Sequence, residues 1–261
     1  MSAPFPHPSD EDDAHWFGFD RLAPQAKDAG VQRVFSSVAD SYDRMNDLMS
    51  LGLHRLWKDR LIGAIAPRSH EVLVDVAGGT GDVAERFVQA GGGRAVLVDR
   101  NAAMVAAGRD RALDRGHMRG VTRLVGDAEC LPVADGAADV VTIAFGLRNV
   151  TRRVQALAQM RRVLRPGGRF FCLEFGPDVT PGWFRRAYDM WSFGAMPMLG
   201  ALVAGDRPAY EYLAQSIRTF PGAQALAQEM GKAGFEHVSW QSWLGGIVVL
   251  HRGQAPIHLK K

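Results

Sequence analysis

Short apolar runs rich in β-branched residues alternate with longer amphipathic stretches from residue 71 onward. Runs at 72–76, 95–99, 121–125, 139–144 and 169–175 have strand length. Segments 82–90, 101–115 and 151–164 repeat apolar residues at helical spacing, the last through Val154, Leu157, Met160 and Leu164 before Arg165-Pro166-Gly167-Gly168 stops it. Such alternation predicts an α/β fold with a parallel sheet covered on both faces. Ahead of it, Val31, Val34, Phe35, Val38 and Tyr42 predict a helix over 31–46, and Leu53, Leu56, Trp57, Leu61 and Ile65 predict one over 53–65. These two helices would cap the carboxyl edge of the sheet. The rhythm breaks at 176–208, where Trp183, Phe184, Tyr188, Trp191, Phe193, Met196 and Met198 crowd together. Helices return near 208–219 and 221–233, and strands at 235–243 and 246–252 form an antiparallel hairpin around Gly245-Gly246. Residues 1–30, with four prolines and an acidic cluster, predict a flexible segment. A single domain then spans 31–252, with a cap at 31–68, a helical insertion at 176–220 and a tail at 253–261.

The stretch EVLVDVAGGTGDVAERF at 71–87 is the pivot: strand, glycine turn, helix start. That junction is where open α/β sheets hold nucleotide-like ligands, and Gly79 and Gly81 let a ligand lie against bare backbone. Gly79-x-Gly81-x-x-Ala84 also fits a dinucleotide fingerprint, so a nicotinamide-dependent oxidoreductase stays in contention. Charge argues the other way. Asp75 and Asp82 flank the turn, and a pyrophosphate between them would be repelled by a few kcal/mol where water is scarce (~332/εr). S-adenosylmethionine carries a sulfonium and an ammonium, which carboxylates attract. Asp99, closing the second run, is placed for ribose hydroxyls, which either ligand has. Asp127, in Gly126-Asp127-Ala128-Glu129 after the third run, suits an exocyclic amine, with the Ala128 backbone near a purine edge and Leu131, Pro132 and Val133 as its wall.

Composition bounds the rest. The 261 residues carry a net charge of +3 and two cysteines, Cys130 and Cys172, which make neither a disulfide framework nor a metal spacing, so no metal is expected. Cytoplasmic placement fits the cysteine usage. No secretory signal is visible, and no run nears the roughly 18 apolar residues of a membrane span. The arginines are interleaved with apolar positions as on a solvated face, which argues against nucleic acid.

Phe145-Gly146-Leu147-Arg148-Asn149-Val150, at the end of the fourth run, faces the expected position of a transferable methyl. The Asn-Pro-Pro-aromatic tetrad of amine N-methylation is absent. A cation and an amide, Arg148 and Asn149, suit an acceptor that becomes an anion, such as a phenol. Tyr42, Asp43 and His54 on the cap, and Phe145 on the turn, are substrate-side candidates.

These residues resemble a known family. Phe35-Ser36-Ser37-Val38-Ala39 with Tyr42-Asp43, His54-Arg55-Leu56-Trp57-Lys58, Ala77-Gly78-Gly79-Thr80-Gly81-Asp82, FGLRNV at 145–150, Arg162 to Gly168, Leu173-Glu174-Phe175 and Tyr212 to Ile217 are similar to the signatures of the ubiquinone/menaquinone biosynthesis C-methyltransferases. The likeness covers roughly residues 30–252. It implies a class I S-adenosylmethionine methyltransferase fold, a mostly parallel seven-stranded sheet with one antiparallel strand. It also implies C-methylation of a polyprenyl benzoquinol, a demethylnaphthoquinol or both. By position, donor contacts fall on Thr80, Asp99, Asp127 and Ala128. Ala144 stands where a serine is common, and Gln215 where an acid is. A polyprenyl substrate implies contact with the inner face of the membrane, and the aromatic and methionine residues at 183–198 could line a tunnel for its tail. Pathway partner enzymes and a homo-oligomer are further expectations. The competing activity within the same chemistry is a donor-dependent methyltransferase acting on another lipid or phenol.

Overall fold

The computed structural model describes residues 16–37, 47, 50–195, 198 and 207–257. A small hairpin, β1 (Trp16–Phe17) and β2 (Asp20–Arg21), leads into α1 (Pro24–Ser37) and α2 (Leu53–Ile65). The alternating part follows: β3 (Val72–Val76), α3 (Asp82–Gln89), β4 (Arg94–Asp99), α4 (Ala102–Asp114), β5 (Val121–Val125), β6 (Ala138–Ala144), α5 (Arg153–Val163) and β7 (Leu164–Phe175). Then come α6 (Gly182–Asp189), π-helical turns over Met190–Ala195, α7 (Arg207–Arg218), α8 (Ala223–Lys232), β8 (Glu236–Trp243) and β9 (Val248–Gln254).

The seven strands lie in the order β5-β4-β3-β6-β7-β9-β8. All pairs from β5 to β7 are parallel, and β9 runs antiparallel to both of its neighbours. Strand alternation splits the core in two. Leu73, Leu97, Val140 and Leu173 pack with Trp57, Leu61, Ile65 and Phe87 on one face. Val74, Val98, Val141, Ile143 and Phe170 pack with Leu157 and Met160 on the other. Because β4 and β6 flank β3 on opposite sides, the order reverses beside β3, and ligand crevices form where this happens.

Two expectations need correcting. Residues 16–30 are not a loose segment: α1 begins at Pro24, the first helical position where a missing N–H costs nothing. The Phe17 ring stacks on Tyr212 with centroids 4.4 Å apart, and buried Lys27 donates from Nζ to Val150 O at 3.2 Å. The strand expected at 169–175 starts at Leu164, paired with Ala138 across an irregularity before Val140, and Gly167 takes φ 73° there. The stop at Arg165-Pro166 therefore ends the helix without ending the chain's path into the sheet. The remainder of the helix expected over 31–46, from residue 38, lies outside the described residues. In the insertion, Tyr188 and Trp191 pack against the core, whereas Trp183, Met190 and Met198 are exposed.

Candidate active site

Two clefts open side by side at the carboxyl ends of β3, β4 and β6. The larger encloses about 760 Å³ including its solvent-open mouth, and is lined by Gly79, Asp99, Gly126, Asp127, Ala128, Phe145 and Asn149, with Asp28, Val31 and Gln32 of α1 across from them. The smaller, about 380 Å³, is lined by Lys58, Asp75, Gly78, Thr80, Asp82, Ala144 and Phe145. Ala77 and Phe145 border both.

The wall between them is built from two βα turns. Ala77 (φ 51°) follows β3 and Phe145 (φ 57°) follows β6, each in the left-handed region that side chains avoid. Backbone strain of this kind clusters where a ligand must be met. Gly146 lies so close to the first turn that a Cβ on it would sit 2.7 Å from Ala77 Cβ. Gly78 is equally constrained: a Cβ there would come 2.7 Å from Asp75 Oδ2.

Asp75 faces the smaller cleft from inside β3. It is 1% exposed, accepts a hydrogen bond from Thr142 Oγ1 on Oδ1 at 2.7 Å, and has no partner for Oδ2 among the described residues. Burial pushes its pKa up to about 7, with the Thr142 hydroxyl and Lys58 opposing. Asp82 differs. Burial would raise it, but Lys58 and Arg86 hold it well below the usual carboxylate range, with Lys58 Nζ on Oδ2 and Arg86 Nε on Oδ1, both at 2.8 Å. The two acids of the turn therefore do not act alike. Asp82 is already compensated, and Asp75 is a buried group that a cation would ionise.

In the larger cleft, the Asp99 carboxylate accepts from Gly79 N on Oδ2 and from Asn101 N on Oδ1, both at 2.8 Å. Burial raises its pKa and these two amides counter it. Asp127 Oδ1 accepts from Glu129 N at 2.9 Å, and its Oδ2 lies 3.6 Å from Arg100 Nε. The loop is held from behind by Glu129, which accepts from Arg152 N and Nε at 2.7 Å. Thr80 lines the smaller cleft with its hydroxyl accepting from Arg111 Nη2 at 2.8 Å, and Gly81 borders neither cleft but serves as N-cap of α3 with φ 96°.

Asn149 reaches the larger cleft, and Tyr212 donates from its hydroxyl to Asn149 Oδ1 at 3.0 Å. Burial pushes the Tyr212 phenol up, so it stays a donor. Arg148, its neighbour, is turned the other way and borders neither cleft. Its Nη1 donates to Glu174 Oε1 at 2.8 Å and to Phe145 O at 2.5 Å, and Glu174 Oε2 accepts from Arg148 N at 3.3 Å. The two side chains are 4% and 1% exposed. The expected approach of this guanidinium to an acceptor oxygen is thus replaced by a buried ion pair that fixes the turn.

His54 sits at the start of α2, its Nδ1 2.9 Å from Ser50 Oγ and apart from both clefts. Burial, helped by Lys58, lowers its pKa to about 4, so it is neutral. Tyr42 and Asp43 lie outside the described residues. Of the expected purine wall, Leu131 is in the core and none of Leu131, Pro132 and Val133 borders the larger cleft, whose lining includes the apolar Val31, Met104 and Val150. The α1 residues were missed because the acidic, proline-rich start dominates the composition there. Pro24 was the available helix-start signal.

The chain matches the profile of the ubiE/COQ5 methyltransferase family over residues 23–255. It is 50% identical over 237 residues to the ubiquinone/menaquinone biosynthesis C-methyltransferase UbiE of Acidiphilium cryptum, covering 91% of this chain and 95% of that one. It is 52% identical over 241 residues to the protein of the same name from Methylobacterium nodulans, again covering 91% and 95%. Among solved structures, a SAM-dependent methyltransferase of Thermotoga maritima superposes with a TM-score of 0.63 at 19% identity, covering 86% of this chain and 99% of that one, a likeness of fold. With the profile matched across nearly all the described residues and half the positions shared with these relatives, the chain belongs to the ubiE/COQ5 methyltransferase family.

Proposed function

We propose that the protein transfers a methyl group from S-adenosylmethionine to a ring carbon of a polyprenyl benzoquinol, a demethylnaphthoquinol or both. Family membership supports the reaction class, and the observation that carries the choice of donor is Asp75: a buried carboxyl with one unpartnered oxygen bordering the smaller cleft. A phosphate-bearing cofactor would leave that oxygen unmet or repel it, whereas an ammonium satisfies it. S-adenosylmethionine supplies an electrophilic methyl on a sulfonium.

The chain's own groups divide the work. Asp99, held by two backbone amides, accepts from ribose hydroxyls. Asp127 Oδ1 secures its own loop, and Oδ2, 3.6 Å from Arg100 Nε, accepts from an exocyclic amine. Asp75 takes the ammonium. The clefts meet at Ala77 and Phe145, and Asn149 on the larger cleft beside them is the residue that would hold the acceptor. With Oδ1 engaged by Tyr212, the Asn149 amide nitrogen faces an acceptor oxygen. A quinol carbon becomes nucleophilic as the adjacent hydroxyl gives its proton to solvent, and a fixed donor at that oxygen favours the anion. The methylated ring carbon then releases its own proton to solvent to restore the aromatic ring. Holding the ring in place supplies the remaining advantage through orientation. Arg148 acts as a positioning residue, tying Phe145 O to Glu174 so that Phe145 and Asn149 present together.

The membrane-embedded nature of a polyprenyl acceptor supports a peripheral site of action, and no helix among the described residues is long and apolar enough to cross a membrane. The test is transfer of labelled methyl from S-adenosylmethionine to each reduced demethyl quinol, with the product's methyl located by NMR. Label on a ring carbon is expected; label on oxygen, or none with either quinol, overturns the proposal.

A further inference from the structure

The smaller cleft contains one cation among its lining residues, and it comes from outside the glycine turn. Lys58 sits on α2, 8% exposed, with its Nζ 2.8 Å from Asp82 Oδ2. Packing does not ask for an ammonium here, since Trp57, Leu61 and Ile65 already supply the apolar stripe of α2. Lys and other long charged chains are almost never buried without a partner. Asp82 is a shared partner, because Arg86 holds its other oxygen. An ammonium carries three donors, and Asp82 Oδ2 accepts one of them.

The ligand's chemistry matches that surplus. An α-amino acid carries its ammonium and carboxylate on one carbon. Whatever seats the ammonium against Asp75 brings the carboxylate into a cleft where Lys58 is the cation among the described lining residues. We infer that Lys58 binds the carboxylate of the methyl donor's amino-acid end, forming with Asp75 a clamp for the zwitterion, while Asp82 positions the lysine. The inference rests on the donor proposed above. It accounts for a basic residue on a helix distant in sequence from the turn, and for an ion pair at the helix start that leaves donors to spare.

Calorimetric titration of the full-length protein separates the two claims. S-adenosylhomocysteine keeps both amino-acid groups; 5′-methylthioadenosine has neither. Lys58→Met should weaken S-adenosylhomocysteine binding about 10- to 100-fold, the worth of a charge-assisted hydrogen bond, and leave 5′-methylthioadenosine within about twofold. Lys58→Gln, which keeps a donor for Asp82, should show the same selective loss and carries the test should the Met variant not fold. Unchanged affinity for S-adenosylhomocysteine, or an equal loss for both ligands, overturns the clamp. Failure of the unaltered protein to bind either ligand overturns the donor assignment itself, and the clamp with it.

Discussion

Removing the Arg148 guanidinium should damage stability before it damages chemistry. The pair with Glu174 is nearly sealed from water, at 4% and 1% exposure, and Arg148 also donates to Phe145 O. Arg148→Met leaves Glu174 as an uncompensated buried carboxylate, a change that costs about 3–5 kcal/mol. For a domain of this size, each kcal/mol lowers Tm by roughly 2–4 °C, so a drop of about 10 °C is expected. Adding Glu174→Gln removes the stranded charge while keeping an acceptor for Arg148 N, so the double variant should recover part of the loss and the two changes should be strongly non-additive. The assay is thermal denaturation of the four proteins in the double-mutant cycle, run beside turnover at a temperature where all are folded. A Tm for Arg148→Met within about 2 °C of the parent, together with collapsed turnover, would refute the reasoning. It would return the guanidinium to the acceptor oxygen, where the sequence pattern had put it.

Other consequences follow from the same geometry. The donor's ammonium requires Asp75 ionised, and burial raises its pKa to about 7, so donor affinity should climb by up to tenfold per pH unit from 5.5 to 7 and level off above. Asp75→Asn should bind weakly with a flat profile; a slope retained in that variant assigns the titration elsewhere. Tyr212→Phe removes the hydrogen bond that orients Asn149, so turnover should fall about 5- to 10-fold while S-adenosylhomocysteine affinity is unchanged, taking that bond as worth about 1 kcal/mol. Equal turnover would show that Asn149 needs no such support. Gly78→Ala places a methyl 2.7 Å from Asp75 Oδ2 and 2.9 Å from Leu97 Cγ, and should lower Tm and weaken the donor together. Intact donor binding in that variant would place the ammonium somewhere other than Asp75.

The sheet was legible because its signal is periodic. Five short apolar runs with helical stretches between them admit few topologies, and the hairpin glycines marked the antiparallel return. Much of the larger cleft was legible for a related reason: Gly79, Asp99, Asp127 and Ala128 each stand at or just past a strand end, and a parallel sheet brings strand ends together. Charge state was not legible. Asp75 and Asp82 look equivalent in sequence, seven residues apart, yet one is buried with Oδ2 unpartnered among the described residues and the other is clasped by Lys58 and Arg86. Nor could spacing reveal that Glu174, 26 residues beyond Arg148, meets it across adjacent elements. Partnering of this kind depends on tertiary register, which a motif does not carry. The contribution of α1 was hidden for another reason: composition averaged over residues 1–30 masks a helix that starts at Pro24.

The central claim, that a buried carboxyl beside the glycine turn selects a cationic nucleoside donor over a phosphorylated one, is tested most directly by titrating the protein with S-adenosylmethionine and with NADH at pH 7.5. The account predicts saturable S-adenosylmethionine binding that Asp75→Asn weakens, and no saturable heat with NADH. Tight NADH binding, or S-adenosylmethionine affinity indifferent to Asp75, would contradict it.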